Sequence, residues 1–95
     1  MPAYIIADVH VDDLAKFQPY VPAVPPIVRK HGGRYLVRGG KWELEEGEWH
    51  PGLVVVIEFP DANAARAFMN DPEYAPWKAL RQQTGHTNGV IVEGV

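Results

Sequence analysis

The spacing of apolar positions changes repeatedly along the chain, and each change marks an element. AYIIADVHV, near the N-terminus, is rich in β-branched residues and alternates weakly, which predicts a strand over residues 4–10. Asp12 and Asp13 then offer an N-cap, and LAKF opens a helix. Prolines at 19, 22, 25 and 26 fall inside that helical stretch. An interior proline deletes a backbone hydrogen bond and clashes with the preceding turn, at about 3 kcal/mol. The pattern therefore predicts a broken helix that restarts near Pro25–Pro26 and stops at Gly32. RYLVR reads as a second strand, extended by KWELE beyond Gly39–Gly40, with the glycines marking a bulge or bend. EGEWHPG is a loop with its turn at Pro51–Gly52, and LVVVIEF is the clearest strand of all. Asp61 caps a helix over ANAARAFMN, and Asp71–Pro72 starts another that carries Tyr74, Trp77, Leu80 and Arg81 as far as Gly85. TNGVIVEGV closes the chain as a strand. The order strand, helix, strand, strand, helix, strand predicts an α+β domain over residues 1–95. It is a ferredoxin-like βαββαβ fold with a four-stranded antiparallel sheet and its helices on one face.

Sorting strand residues by parity gives that sheet two unlike faces. Ile5, Ala7, Val9, Tyr35, Val37, Leu53, Val55, Ile57, Phe59, Val90 and Val92 form an apolar set for the helices. Tyr4, Ile6, Asp8, His10, Arg34, Leu36, Arg38, Val54, Val56, Glu58, Ile91 and Glu93 fall on the other side. A face left to water alternates more cleanly, and this many exposed aliphatics mark an interface. Charges within such an interface need partners. A two-residue shift at Gly39–Gly40 would set Arg38 opposite Glu58. The expectation is a homodimer joined through this open face, with Arg38 and Glu58 paired at the seam.

Composition narrows the chemistry. A net charge of −3 argues against a nucleic-acid partner. The central strand Arg34-Tyr35-Leu36-Val37-Arg38 also lacks the exposed aromatic pair of an RNA-recognition module. The absence of cysteine excludes disulfides, thiolate catalysis and iron–sulfur clusters. No stretch of sequence is apolar enough for a signal peptide or a membrane span, so the expected location is the cytoplasm. His10, His31, His50 and His86 show none of the short spacings that place two ligands on one element, so no metal is expected.

The candidate catalytic groups are His10, which titrates near neutrality and ends the first strand, and Glu58, a carboxylate that Arg38 could hold as a general base. Arg38 and Arg81 can hold an anionic group, because a guanidinium fork matches a carboxylate. Tyr74 and Trp77 would add aromatic lining. The bland alternative makes the charges a device for dimer register and the aromatics part of the core.

GGRYLVRGG, VVVIEFPDANAARAF, DPEY and the closing strand together resemble the family known as domain of unknown function 1330, over nearly the whole chain. The resemblance implies a dimeric α/β barrel, whose relatives by fold include cofactor-free monooxygenases, haem-degrading enzymes and muconolactone-type isomerases. It also marks Arg38, Glu58, Tyr74 and Arg81 as recurring polar positions. The chain departs from the pattern at Met69, Asn70 and Asp71, where many members carry an aromatic and a serine before PEY. The functional expectation is a homodimer binding a small organic molecule, with cofactor-independent isomerisation or oxygenation as its chemistry. A non-catalytic assembly module is the alternative. A haem protein with His10 or His86 as axial ligand is a weaker third.

Overall fold

A computed structural model describes residues 1–95. Its strands are β1 (Ala3–Val11), β2 (Arg34–Arg38), β3 (Leu53–Phe59) and β4 (Gly85–Glu93). Its helices are α1 (Leu14–Phe17) and α2 (Tyr20–Lys30) before β2, and α3 (Ala62–Met69) and α4 (Ala75–Gln83) after β3. The strands form one antiparallel sheet in the order β2-β3-β1-β4, the ferredoxin-like arrangement expected from the pattern. No helix is long and apolar enough to cross a membrane.

The helix ends follow their capping residues. Asp13 accepts from the Lys16 amide at 3.1 Å and Asp61 from the Ala64 amide at 2.8 Å. At the end of α2, Gly32 takes a φ of 78°, and Gly33 N–H reaches back to the Val28 carbonyl at 3.0 Å. The Gly32 N–H bonds Arg29 at 2.9 Å, which completes a Schellman motif. The break predicted near Pro25–Pro26 lies earlier, around Gln18 and Pro19, and α2 runs through both later prolines. Pro25 has no N–H for the carbonyl of Val21, four residues back, and Pro26 leaves that of Pro22 free. KWELE does not continue β2; residues 40–51 form an irregular excursion instead.

Register changes two of the expected faces. β2 carries its irregularity between Tyr35 and Val37, with Arg34 opposite Glu58, Tyr35 opposite Ile57, Val37 opposite Val56 and Arg38 opposite Val55. The bulge therefore falls at Leu36, not at the glycines, and reverses the parity of everything after it. Val37 moves to the open face and Arg38 to the helix side. In β4, Ile91 pairs with Ile5 and Val90 with Ile6, so Ile91 and Glu93 face the helices and Val90 and Val92 face outwards. This is the reverse of the sequence expectation, because an unbroken apolar run such as VIV carries no parity of its own.

The core joins Ile5, Ile57 and Phe59 of the sheet to Val24, Ile27 and Val28 of α2 and to Ala65 and Phe68 of α3. One polar node ties its edge together. Asp71, buried beneath the end of α2, accepts from His31 Nε2 at 2.7 Å, Lys30 Nζ at 2.9 Å and the Glu73 amide at 2.8 Å. The His31 hydrogen bond, then those from Glu73 and Lys30, hold its carboxyl well below the ordinary 3.8. Folding thus favours the ionised form. The stabilisation is complete above the ordinary carboxylate value and drains away as the pH falls below it. Asp71→Asn is expected to lower the urea midpoint at neutral pH, and its deficit against wild type should narrow as the pH falls below about 4. A deficit that stays constant with pH would show that the carboxylate charge is not what matters.

Candidate functional site

Between the helix side of the sheet and the helices lies a cavity of about 640 Å³. Its origin is visible in the register. One row across the sheet reads Arg38, Val55, Ala7, Gly89, so the two strands on the β1–β4 side place almost no side-chain volume there. The remaining walls are apolar: Phe17 and Val24 from α1 and α2, Phe68 and Met69 from α3, and Ile91 from β4.

Polar groups gather among these walls. The hydroxyls of Tyr20 and Tyr74 meet at 2.7 Å, and both residues line the cavity. Burial, followed by the neighbouring Tyr74, pushes the Tyr20 hydroxyl far above the phenol range, and the nearby Arg81 only partly opposes this. Tyr20 is therefore a protonated donor or acceptor at any physiological pH. Burial also raises Tyr35, with Arg38 pulling the other way. Arg38 stands with its guanidinium carbon 4.8 Å from the centre of the Tyr35 ring, a cation–π contact. Its Nη2 donates to the Val21 carbonyl at 2.8 Å, the acceptor that Pro25 leaves free. A proline that looked like a helix breaker thus supplies the anchor for a cavity arginine. Thr87 adds a further hydroxyl at the wall, the one buried side-chain polar atom without a partner.

The residues singled out from sequence do not form one site. Arg38, Tyr74 and Arg81 line the cavity together. Trp77 packs against the core beside it but is not part of its wall. His10 and Glu58 lie on the opposite face of the sheet. Glu58 pairs with Arg34, not with Arg38: Arg34 Nε donates to it at 2.8 Å and the Tyr4 hydroxyl at 3.0 Å. Those two donors, Arg34 first, hold its carboxyl below the usual range. His10 stacks flat on His86, its cross-strand partner, with ring centres 4.6 Å apart. Its Nε2 sits 3.1 Å from Asp8 Oδ1. As an axial haem ligand, His10 would have to leave both contacts and His86 would have to unstack.

Asp8 is the organising group at that end of the open face. Besides His10 it accepts from Trp49 Nε1 at 2.9 Å and from the Gly52 amide at 2.8 Å. Burial works to raise its carboxyl, but these donors outweigh burial and leave it lowered. The 40–51 excursion is therefore tied to the open face through Trp49, while Trp42 meets His50 edge to face at 5.0 Å. Tyr20, Tyr35 and Thr87 carry no sequence signal for the cavity. Tyr20 lies in a stretch whose prolines predict a broken helix. Tyr35 falls by parity in the apolar set of the helix side, where nothing local separates cavity lining from core.

Among curated proteins, none matches the sequence significantly. Several solved structures share the fold at low sequence identity. A protein of unknown function from Rhodopseudomonas palustris superposes with a TM-score of 0.78 at 16% identity, covering 99% of this chain and 82% of that one. A dimeric ferredoxin-like protein of unknown function from Jannaschia sp. CCS1 gives 0.76 at 10% identity, covering 99% and 100%. SnoaB, a cofactor-independent oxygenase from Streptomyces nogalater, gives 0.63 at 14% identity, covering 99% and 91%. At these identities the likeness establishes the fold. Residues 2–95 match the model of the family described as Domain of unknown function (DUF1330), and to that family the chain belongs.

Proposed function

We propose that the protein binds a small organic molecule in the cavity between sheet and helices, as a homodimer joined through the open sheet faces. The observation that carries the binding reading is the cavity itself. Protein interiors normally pack to crystal density. A space of about 640 Å³ in a 95-residue chain, apolar with a few convergent polar groups, has the size and lining of a ligand site. The dimer reading rests on the open face, where Ile6, Val37, Val54, Val56, Val90 and Val92 form an apolar band. The charges beside that band, Arg34, Glu58 and Asp8, are already partnered within the chain, so docking need not strip them bare. The Jannaschia protein of the same fold is described as dimeric, which agrees.

Chemistry without a cofactor is the natural extension. SnoaB shares the fold and is described as a cofactor-independent oxygenase. Here the Tyr20–Tyr74 pair is the group placed to hold a ligand oxygen or its proton.

Native mass spectrometry of freshly purified protein tests both parts. The expected result is a dimer carrying a reproducible extra mass. Gly89→Leu supplies the control: a Cβ at this position meets nothing closer than 3.5 Å, so the fold accepts it, and the rest of the leucine enters the cavity. The extra mass should then disappear while the dimer remains. A bare dimer that also fails to take up added ligand would turn the reading towards the non-catalytic assembly module.

A further inference from the structure

The charges around the cavity are one-sided. Its wall contains Arg38, Arg66 and Arg81 and no acidic residue, in a chain whose net charge is −3. The ion pairs of the molecule involve His10, Lys16, Lys30, His31 and Arg34, so the three cavity arginines have no carboxylate partner of their own. Arg38 spends one N–H on the Val21 carbonyl and keeps the rest of its fork free. Arg81 and Tyr35 act electrostatically on the Tyr20 hydroxyl, and Arg38 and Tyr74 act on that of Tyr35. Tyr20, Tyr35, Tyr74, Arg38 and Arg81 all line this one cavity, with the Tyr20 and Tyr74 hydroxyls in contact and Arg38 over the Tyr35 ring. The Tyr20–Tyr74 bond uses only one of the two protons it contains, and Tyr35 has no side-chain partner but the Arg38 cation above its ring. Free donors are gathered there, and no acidic side chain lines the cavity. The rest of the wall is largely aliphatic, with Val24, Val55 and Ile91 among its residues.

We infer that the cavity is a site for an organic carboxylate with an apolar body, the body against Val24, Val55 and Ile91 and the carboxylate among Arg38, Arg81 and the hydroxyls of Tyr20, Tyr35 and Tyr74. The inference rests on the cavity being a ligand site and adds the class of ligand. A guanidinium fork and phenol donors match the two oxygens of a planar carboxylate, and an apolar surround strengthens each of those bonds. A neutral ligand of the same shape would offer the guanidiniums no charge to pair with.

Isothermal titration with 2-naphthoate and with 2-naphthamide, its uncharged analogue, tests this. The carboxylate should bind more tightly than the amide by about tenfold or more, as expected for charge-assisted hydrogen bonds. Arg81→Gln should remove most of that preference, weakening naphthoate by about tenfold and changing naphthamide by less than about twofold. Tyr35→Phe, which keeps the ring and removes only the hydroxyl, should weaken naphthoate in the same selective way. Equal affinity for the two ligands, unmoved by Arg81→Gln, would overturn the carboxylate assignment and leave a neutral apolar pocket. Failure of both ligands to bind would overturn the ligand site itself.

Discussion

Replacing Val90 with aspartate is expected to leave the protein monomeric while its fold survives. Val90 lies on the edge strand β4, directly opposite Ile6, and is 58% exposed in the single chain. An aspartate there meets water in the isolated subunit, so the cost to folding is small. In a dimer joined through the open faces, the same position lies in the apolar band beside Ile6, Val37 and Val56. Burying an unpaired carboxylate costs several kcal/mol, and two-fold symmetry imposes that cost twice. A shift of this size exceeds what an ordinary interface can absorb. Light scattering after size exclusion should report a dimer for wild type and a monomer for Val90→Asp, with unchanged circular dichroism. A dimer that tolerates the substitution would place its interface elsewhere.

The second large effect concerns stability. Phe59→Ala is expected to cost about 3–5 kcal/mol, a large share of the 5–15 kcal/mol typical of a whole domain. Phe59 is 1% exposed and stacks on Phe68 with ring centres 5.7 Å apart. It also closes on the backbone of Gly33, where an added Cβ would come within 2.7 Å of its ring. Two of its neighbours, the Gly33 backbone and the Phe68 ring, collapse poorly into a vacated space. Thermal unfolding should show Tm falling by roughly 15 °C or more. A drop of only a few degrees would mean that α2 and α3 settle onto the sheet without the ring.

How far each feature could be read from the chain follows from the range of its cause. Strands such as LVVVIEF, caps such as Asp13 and Asp61, and the turn at Gly32 depend on neighbours a few residues away, and all lie where the pattern predicts them. Boundaries moved where tertiary partners intervened. Pro25 sits inside α2, and Arg38, from another element, donates to the carbonyl it frees. KWELE left the sheet because β2 stops at Arg38 and the excursion folds back, with Trp49 bonded to Asp8.

The candidate site was legible in part for the same reason. Arg38, Tyr74 and Arg81 stand out by residue type and motif, and they meet in the cavity. Their separation from His10 and Glu58 turns on a single bulge at Leu36, which sends Arg38 through the sheet and leaves Glu58 to Arg34. Tyr20 and Tyr74, 54 residues apart in sequence, come within 2.7 Å only once α2 and the start of α4 lie across the same sheet.

The sequence by itself determined the order of elements, the ferredoxin-like topology and the apolar character of both sheet faces, since these rest on local periodicity and capping. Tertiary structure alone decided strand register, the side of the sheet on which each charge lies, and the existence of the cavity. Period-two patterns within uniformly apolar runs are silent about parity, and an empty volume is a property of rows formed by residues distant in the chain.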